Sequence, residues 1–160
     1  MKVAFSDAVK REQEKRGSRA AYARIERATG GFATELTEEL CAFLAERDSC
    51  YLATASADGQ PYIQHRGGPP GFLHVVDSHT LAFEDYPGNR QYITLGNLSE
   101  NDRVCLFVMD YEHRRRVKIW GRARVVEDTT ARVIIVDVTA WDENCPKHIT
   151  PRYSHSQATS

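Results

Sequence analysis

Residues 81–98 read Leu-Ala-Phe-Glu-Asp-Tyr-Pro-Gly-Asn-Arg-Gln-Tyr-Ile-Thr-Leu-Gly-Asn-Leu, and this stretch decides the fold. Leu81 and Phe83 alternate with smaller or polar residues, which is the pattern of a half-buried strand. Pro87 and Gly88 then predict a tight turn, because proline and glycine both interrupt regular structure. The rest of the stretch predicts a short helix, so a strand, a turn and a helix follow one another directly.

The predicted helix has two features of a phosphate-binding site. Asn89 is expected to cap it, and its first backbone N–H groups then have no acceptor within the helix. Arg90 stands beside them, and unpaired N–H groups next to a positive charge attract phosphate. Tyr92, Leu95 and Leu98 follow at three-residue spacing and predict one apolar stripe that packs on the sheet. Capped surface helices that bind no ligand are common, so an ordinary helix stays the alternative.

Short strands are predicted on both sides of this stretch. Asp58-Gly59 is a strong hairpin signal between two runs of alternating residues. Residues 104–109 are apolar enough to be buried on both faces. Six or seven strands with turn signals about every eight to twelve residues predict a closed or nearly closed antiparallel barrel with helices around it. The other predicted strands are 51–55, 61–64, 72–76, 115–126 and 133–139.

The N-terminal part of the chain is predicted to be helical. Residues 6–28 alternate charged residues with Ala, Tyr and Ile, which predicts a polar helix over a surface or a partner subunit. Ser6 is its expected cap, and Gly17-Ser18 is an expected interruption. Thr37 is expected to cap the next helix, whose apolar stripe begins at Leu40.

The composition is that of a soluble globular protein. Hydrophobic residues make up 41% of the 160 residues and charged residues 27%, so one domain with an ordinary core is expected. The formal net charge of -1 gives no global reason to expect nucleic acid or an acidic surface as a partner. No apolar run has the length of a membrane span, and charged residues from Asp7 onwards interrupt any signal-peptide core, so we expect a cytoplasmic protein. The domain should span residues 1–160, with a helical extension over about 1–36 and a tail over about 141–160.

Metal-binding spacings and common catalytic motifs are absent from the sequence. The four cysteines show no Cys-x-x-Cys spacing, which favours reduced and mostly buried thiols. The six histidines are scattered without ligand spacing, so no zinc site is expected. No Gly-x-Ser-x-Gly, P-loop or Gly-x-Gly-x-x-Gly motif occurs, which argues against acyl hydrolases, P-loop NTPases and Rossmann enzymes.

The predicted strand 115–126 has two contrasting faces, because alternate side chains point to opposite sides. The positions Val117, Ile119, Gly121, Ala123 and Val125 are small or apolar, as a barrel interior requires. The other positions are mostly cationic: Arg114, Arg116, Lys118, Trp120, Arg122 and Arg124. A solvated outer face is one explanation, although a tryptophan is unusual there. The other two explanations are a covered face, such as a dimer interface that holds an anion, and a nucleic-acid surface.

Residues 64–68 predict a second place where a ligand can approach. The segment reads Gln-His-Arg-Gly-Gly and ends a strand in flexible backbone, and adjacent glycines permit close approach to the main chain. Arg66 is suited to bidentate binding of a carboxylate or phosphate. A glycine- and proline-rich bend with a surface arginine explains the segment equally well.

The order of these elements resembles that of a known protein family. An Asp-Gly-Gln-Pro hairpin precedes residues 64–68, and Phe-Glu-Asp-Tyr-Pro-Gly-Asn-Arg, Asn-Asp-Arg-Val-Cys-Leu-Phe-Val and Arg-Val-Lys-Ile-Trp-Gly-Arg-Ala follow. Over roughly residues 37–140 this order resembles the pyridoxamine 5'-phosphate oxidase-like family of FMN-binding split barrels. Within the family, the chain is similar to bacterial flavoproteins that share Gln-His-Arg-Gly-Gly-Pro-Pro-Gly-Phe and a late Trp-Asp-x-Asn-Cys-Pro-x-His-Ile segment, here residues 141–149.

The resemblance implies a mainly β (α+β) fold, namely a six-stranded antiparallel split β-barrel with peripheral helices. It also implies a homodimer that holds FMN in a groove between subunits, with the phosphate at the start of the helix after Arg90. Arg116, just before Val117, matches a polar residue that reaches the cofactor from the long strand. The cofactor-binding residues implied are Gln64, His65, Arg66, Gly67, Gly68, Phe83, Glu84, Asn89, Arg90, Arg116 and Trp141.

The late segment has a candidate catalytic residue, His148. Pro146 restricts itself and the residue before it, so the segment is expected to turn at Asn144-Cys145-Pro146 and fold back over the barrel mouth. There Trp141 would cover the flavin ring, and the imidazole of His148 would donate a hydrogen bond or transfer a proton. The alternative is an anchor, in which burial of Trp141 simply pins the C-terminus.

The function that the resemblance implies is an FMN-dependent redox reaction on a small molecule. In such enzymes the cofactor carries the chemistry, so no catalytic acid or base need stand out. The true oxidases carry a basic residue after their flavin-lining strand, where this chain has Gly67-Gly68-Pro69-Pro70, so pyridoxamine 5'-phosphate oxidation is not implied. The alternatives are a non-catalytic flavin carrier or sensor, the same barrel binding haem or a deazaflavin, and a nucleic-acid-binding barrel. Neither nucleic acid nor a membrane is expected as a partner.

Overall fold

The computed structural model describes residues 2–143 and 145–154. Asn144, in the expected late turn, and the end of the expected tail, 155–160, lie outside these residues. The helices are α1 (Asp7–Lys15), α2 (Arg19–Thr29), α3 (Glu38–Ala45) and α4 (Ile93–Glu100). The strands are β1 (Ser49–Ala55), β2 (Pro61–Gly67), β3 (His74–Asp77), β4 (Thr80–Glu84), β5 (Arg103–Asp110), β6 (Arg115–Glu127) and β7 (Arg132–Glu143).

The strands form one antiparallel sheet in the order β2-β1-β5-β6-β7-β4-β3. The fold class expected from the sequence is confirmed, but the sheet in the described residues has seven strands and not six. Strand β3, which overlaps the predicted strand 72–76, is a four-residue edge strand that pairs only with β4. Because the edge strands β2 and β3 do not pair with each other, hydrogen bonds do not close the barrel.

The core lies on one face of this sheet. On β6, residues 117, 119, 121 and 123 are buried while Lys118, Trp120 and Arg122 between them are not, so the predicted alternation is confirmed. On β5 the expectation of burial on both faces is wrong. Val104, Leu106 and Val108 are buried, whereas the outward residues between them are only half-buried, because no described element fully covers that face.

Helix α3 closes the core at one side. Thr37 caps it as predicted, since its side chain accepts a hydrogen bond of 3.3 Å from the backbone N–H of Leu40. Leu40, Phe43 and Leu44 pack into the core. None of the helices in the described part of the chain has the length and apolar character that a membrane span needs.

The N-terminal extension attaches to the outer face of the sheet through aromatic rings. Its predicted interruption is confirmed, because α1 and α2 are separated at Gly17, which has a φ of 75°. Neither helix has a buried residue. Phe32 stacks on Trp120 with ring centres 5.2 Å apart, and Phe5 contacts Phe32 edge to face. Trp120 is therefore covered by the same chain, which explains its place among cations.

The start of α4 differs from the prediction. Asn89 does not cap the helix, because its side chain accepts from the backbone N–H of Gln91 at 3.2 Å and the helix begins only at Ile93. Arg90 and Tyr92 both adopt left-handed backbone conformations, with φ of 60° and 55°. Tyr92 thus precedes the helix and is 53% exposed, so it does not share the apolar stripe that ends at the buried Leu98.

The thiols and histidines form no metal site among the described residues. All four cysteines are free, but the expectation of mostly buried thiols is wrong: Cys50 is buried, Cys41 and Cys105 are half-buried, and Cys145 is exposed. Cys145 lies beyond the last strand, where nothing in the described residues covers it.

Candidate functional site

A cavity of about 270 Å³ opens where β2, the loop after β4, the start of α4 and the start of β7 meet. We call it the first cavity. Its lining residues are Tyr62, Gln64, Arg66, residues 85–95 and Arg132. The cavity therefore includes the loop and helix start in which the sequence predicts a phosphate site.

A buried carboxylate organises the cations of the first cavity. Asp85 is 5% exposed, and one of its oxygens accepts a hydrogen bond from Nη1 of Arg66. The other oxygen accepts from Nε of Arg132 at 2.6 Å, while the backbone N–H of Asp85 donates to the carbonyl of Arg132 at 2.8 Å. One side chain thus fixes an arginine from β2 and an arginine from β7.

Thr94, in the first turn of α4, extends this network. Nη2 of Arg66 donates to its hydroxyl oxygen at 3.0 Å, and the hydroxyl donates to Oε1 of Gln64 at 3.4 Å. The phenol of Tyr62 donates to the same oxygen at 3.1 Å. Side chains of β2 are therefore locked against the helix start before any ligand arrives.

The electrostatics of the first cavity favour an anion. Among its lining residues, Arg66, Arg90 and Arg132 face a single carboxylate, that of Asp85. The first N–H groups of α4 add partial positive charge, and no acidic residue lies in its first turn. Nε of Arg66 is buried and has no hydrogen-bond partner among the described residues. A buried donor without an acceptor is costly, so the residues present fit an anionic group.

Cys50 lies next to Arg66 on the adjoining strand but offers no nucleophile. It pairs with Arg66 in the register of β1 and β2 and is 1% exposed. Burial raises the pKa of its thiol to about 12, although the charge of Arg66 acts in the opposite direction. The thiol is therefore neutral at physiological pH.

A second cavity, also of about 270 Å³, lies on the outer face of β5 and β6. Residues 145–154, which we call the C-terminal segment, form its other wall. It is lined by Phe107, Met109, Tyr111, Arg116, His148, Ile149, Thr150 and Arg152. The guanidinium of Arg152 lies 4.9 Å from the ring centre of Tyr111. Burial raises the pKa of the Tyr111 phenol, and the neighbouring Tyr51 raises it further, so Tyr111 stays neutral.

The residues expected at the cofactor are divided between these two cavities. Gln64, Arg66, Asn89 and Arg90 line the first cavity, whereas Arg116 and His148 line the second. Gln64 shares a face of the sheet with the buried Leu52, while Arg116 alternates with the buried Val117 and points to the other face. Within one protomer, therefore, the two groups do not line one site.

The other expected residues have structural surroundings. His65 points outward, and its ring packs edge to face against the ring of Tyr51, with 5.8 Å between the ring centres. Phe83 is 1% exposed and belongs to the core, so its side chain is not available to a surface ligand. Glu84 lines a small cavity of about 120 Å³ with Tyr86 and residues 69–72.

The two glycines after Arg66 are closely packed, and Gly68 more tightly than Gly67. A Cβ atom at Gly68 would lie 2.8 Å from Cβ of Phe72, and one at Gly67 would lie 3.2 Å from the carbonyl oxygen of Asp48. The protein's own chain thus fills the space beside them, so close approach of a ligand is not needed to explain these glycines.

Trp141 has the contacts of an anchor. Its indole N–H donates to the carbonyl of Glu35 at 2.8 Å, and its backbone N–H donates to that of Ala33 at 2.9 Å. The ring packs against the core and lines neither cavity described above. Trp141 therefore links residues 33–35 of the N-terminal extension to β7, whereas the alternative interpretation has it pin the C-terminus.

Sequence reasoning missed Asp85, Thr94 and Arg132. Asp85 lies within the stretch 81–98, but no local pattern distinguishes a buried carboxylate from an exposed loop residue. Arg132 begins a strand, and its contact with Asp85 depends on the pairing of β4 with β7. Thr94 lies in the first turn of α4, and its contact with Arg66, 28 residues away in sequence, gives no local signal.

The chain is similar to several solved structures. A putative pyridoxamine 5'-phosphate oxidase from Lactobacillus delbrueckii is 23% identical, with a TM-score of 0.56, covering 69% of this chain and 95% of that chain. HupZ from Group A Streptococcus is 18% identical, with a TM-score of 0.55, covering 68% and 99%. An FAD-binding protein from Mesorhizobium loti is 16% identical, with a TM-score of 0.50, covering 69% and 97%. At these identities the likeness shows a common fold.

A search of curated proteins finds no match. The family model described as pyridoxamine 5'-phosphate oxidase, however, matches residues 36–150, which include every strand and all residues that line the first cavity. The match begins just before α3 and leaves the helical extension outside. Because it spans most of the chain, the protein belongs to the pyridoxamine 5'-phosphate oxidase family.

Proposed function

We propose that the protein is an FMN-binding flavoprotein and that the first cavity holds the phosphate of the flavin nucleotide. The observation that carries the proposal is the buried, unpartnered Nε of Arg66 in a cavity lined by two further arginines. Three guanidinium groups line the cavity, Asp85 offsets one positive charge and Glu127, at 3.4 Å from Nη1 of Arg132, offsets a second, so a net positive charge remains for an anionic phosphate. The family and the fold shared with an FAD-binding protein support a flavin as the carrier of that phosphate.

Each group has a separate task in this proposal. Arg90, in the loop before α4, contacts the phosphate directly, and the first N–H groups of α4 donate to its oxygens. Asp85 makes no contact with the anion but keeps Arg66 and Arg132 in place. FMN, once bound, supplies the redox chemistry, and we infer that the protein uses it to oxidise or reduce a small molecule.

We further propose that two copies form a dimer around the flavin. The first cavity is smaller than a whole flavin nucleotide, so the ring system must extend beyond it. The outer face of β1 and β2 leaves Ile63 62% exposed and Tyr51 36% exposed, which suits a contact with a second copy. Arg116 and His148 reach the flavin only if that copy supplies them.

The dimer is tested by sedimentation at low protein concentration, with and without FMN. Binding between subunits must favour association by mass action, so the FMN-loaded protein should contain more dimer. A monomer that binds one FMN without associating would refute the shared groove and leave the phosphate site intact.

The phosphate site is tested by Arg90→Ala. Loss of a charge-assisted contact should weaken FMN by about 1.5–3 kcal/mol, roughly ten- to a hundredfold, as measured by fluorescence titration. Riboflavin, which lacks the phosphate, should bind weakly to both forms. Arg124→Ala is the control, because Arg124 is exposed and pairs with Asp137 at 2.7 Å, away from the first cavity. Equal losses for FMN and riboflavin would refute the assignment.

Spectra separate FMN from the other cofactors that this fold suggests. Oxidised flavin has two bands in the near-ultraviolet and blue, haem has a Soret band, and a nucleic-acid binder has neither. Titration with FAD beside FMN tests the resemblance to the FAD-binding protein. Anaerobic reduction of the bound flavin by nicotinamide nucleotides, followed by reoxidation, distinguishes an oxidoreductase from a flavin carrier or sensor.

A further inference from the structure

The small cavity beside Glu84 differs in charge from the first cavity, which it adjoins. Its volume is about 120 Å³, and Tyr86 lines both cavities. Within the described part of the chain, its lining contains no arginine or lysine, and Glu84 is its one acidic residue. The lining residues are Pro69, Pro70, Gly71, Phe72, His74, Glu84 and Tyr86. A carboxylate among apolar and aromatic side chains complements an organic cation.

Glu84 and Asp85 are neighbours in the sequence, but their carboxylates have opposite surroundings. Side chains alternate at the end of β4, so Asp85 is buried while Glu84 is exposed on the other side. Asp85 pairs with two arginines. The carboxylate of Glu84 makes no hydrogen bond or ion pair with any described residue. Its charge is therefore available to a ligand.

The loop of residues 69–72 gives the small cavity a fixed wall. The backbone N–H of Gly71 donates to the carbonyl of Arg47 at 3.0 Å, and that of Phe72 donates to the carbonyl of Pro69 at 2.9 Å. The ring of Phe72 packs edge to face on that of Phe83, with 6.4 Å between the ring centres. Because the wall is already held, little conformational freedom is lost when a ligand binds.

The size and the side chains of the small cavity restrict its ligand to a cationic head group. Pockets for whole drug-sized molecules begin at about 300 Å³, so this cavity accommodates only part of such a molecule. A metal ion does not fit, because no group of three metal-ligating side chains is found among the described residues. A methylated ammonium group fits better, since aromatic faces and a carboxylate both attract it.

We propose that the small cavity binds the alkylated ammonium group of a small organic cation, with the charge at Glu84 and the methyl groups against Tyr86 and the prolines. One protomer alone forms this site, from β3, β4 and the loops after β2 and β4. Glu84 does not line the first cavity, so the proposal does not depend on FMN binding there.

Choline is the probe, titrated into the isotope-labelled full chain and followed through backbone amide signals in NMR spectra. The titration is run at slightly alkaline pH, where imidazole side chains are uncharged. We expect saturable binding on the order of 1 mM, both without flavin and with saturating FMN. The shifts should concentrate at residues 71–74 and 84–86. The uncharged analogue 3,3-dimethyl-1-butanol should bind about tenfold more weakly, and the anion 3,3-dimethylbutanoate should not bind.

Glu84→Gln should weaken choline about tenfold, because it removes the charge and keeps the size of the side chain. Tyr86→Leu should weaken it severalfold, whereas Tyr86→Phe keeps the ring and should bind normally. Glu100→Gln is the matched control, since Glu100 is exposed at the end of α4 and does not line the small cavity. The amide spectrum also reports whether each variant is folded, and the three ligands test the wild type independently of any variant.

Three results would overturn the proposal. Shifts that do not saturate, or equal binding of choline and its uncharged analogue, would show that the cavity has no cation site. Unchanged choline binding in the folded Glu84→Gln variant would show that the carboxylate does not attract the ligand. Displacement of choline by FMN would show that the small cavity belongs to the flavin site. Failure of Arg90→Ala to affect FMN would instead refute only the phosphate site.

Discussion

The two cavities are equal in volume but differ in what their cations contact. In the first cavity, Asp85 binds Arg66 and Arg132 at the same time. Arg66 lies on β2, Arg132 on β7 and Asp85 in the loop after β4. In the second, the cations come from β6 and the C-terminal segment, and no acidic residue among the described ones lines the cavity. The first is held by charge pairing, and the second by an aromatic contact.

This difference shows how a buried carboxylate changes the properties of an anion-binding site. Asp85 reduces the net charge, which weakens long-range attraction, but it removes the conformational freedom of two arginines before a ligand binds. The second cavity has no such carboxylate among the described residues that line it. Removal of the charge pairing should therefore cost more folding stability at the first cavity than removal of the aromatic contact costs at the second.

Asp85→Ala should have the largest effect. It leaves two half-buried guanidinium groups without their shared partner, so the free energy of unfolding should fall by about 3–5 kcal/mol in urea denaturation. Asp137→Ala is the control, because Asp137 pairs with Arg124 on the exposed surface and should cost at most about 1 kcal/mol. Similar losses for the two variants would remove the distinction between the cavities.

Thr94→Val should have an intermediate effect. The valine keeps the shape of the side chain but neither accepts from Arg66 nor donates to Gln64, so stability should fall by about 1–2 kcal/mol. FMN affinity should fall with it, because Arg66 is then held by Asp85 alone. A variant with unchanged stability and unchanged affinity would show that the hydroxyl does not order the cavity.

Tyr111→Leu should have the smallest effect and should act only at the second cavity. Removal of the ring beneath Arg152 should lower the free energy of unfolding by about 0.5–1 kcal/mol in urea denaturation. Tyr111→Phe keeps the ring and should keep the stability. If both variants lose stability equally, the hydroxyl and not the ring is responsible.

Local patterns in the sequence were sufficient for most of the framework. The alternation on β6, the cap at Thr37 and the Asp58-Gly59 hairpin depend on residues close in sequence, and all three are confirmed. The predicted start of α4 was wrong by three residues, since Asn89 bonds to Gln91 within the loop instead of capping the helix. Competing local hydrogen bonds of this kind are not visible in a spacing pattern.

The centre of the first cavity was beyond such reasoning. Asp85 is 19 residues from Arg66 and 47 from Arg132, and it meets both only because strand pairing brings these segments together. The resemblance assigned both Arg66 and Arg90 to the cofactor, and both line the first cavity. It did not indicate that Arg116 and His148 line a separate cavity on the opposite face.

The loop before α4 has a consequence for engineering and for natural variation. Arg90 and Tyr92 occupy left-handed backbone conformations, which cost a residue with a side chain about 1 kcal/mol that glycine does not incur. Arg90→Gly would therefore relieve strain while removing the cation. Selection for thermal stability alone would therefore favour such a substitution. The proposed specificity for the ligand would be lost although the melting temperature would not fall.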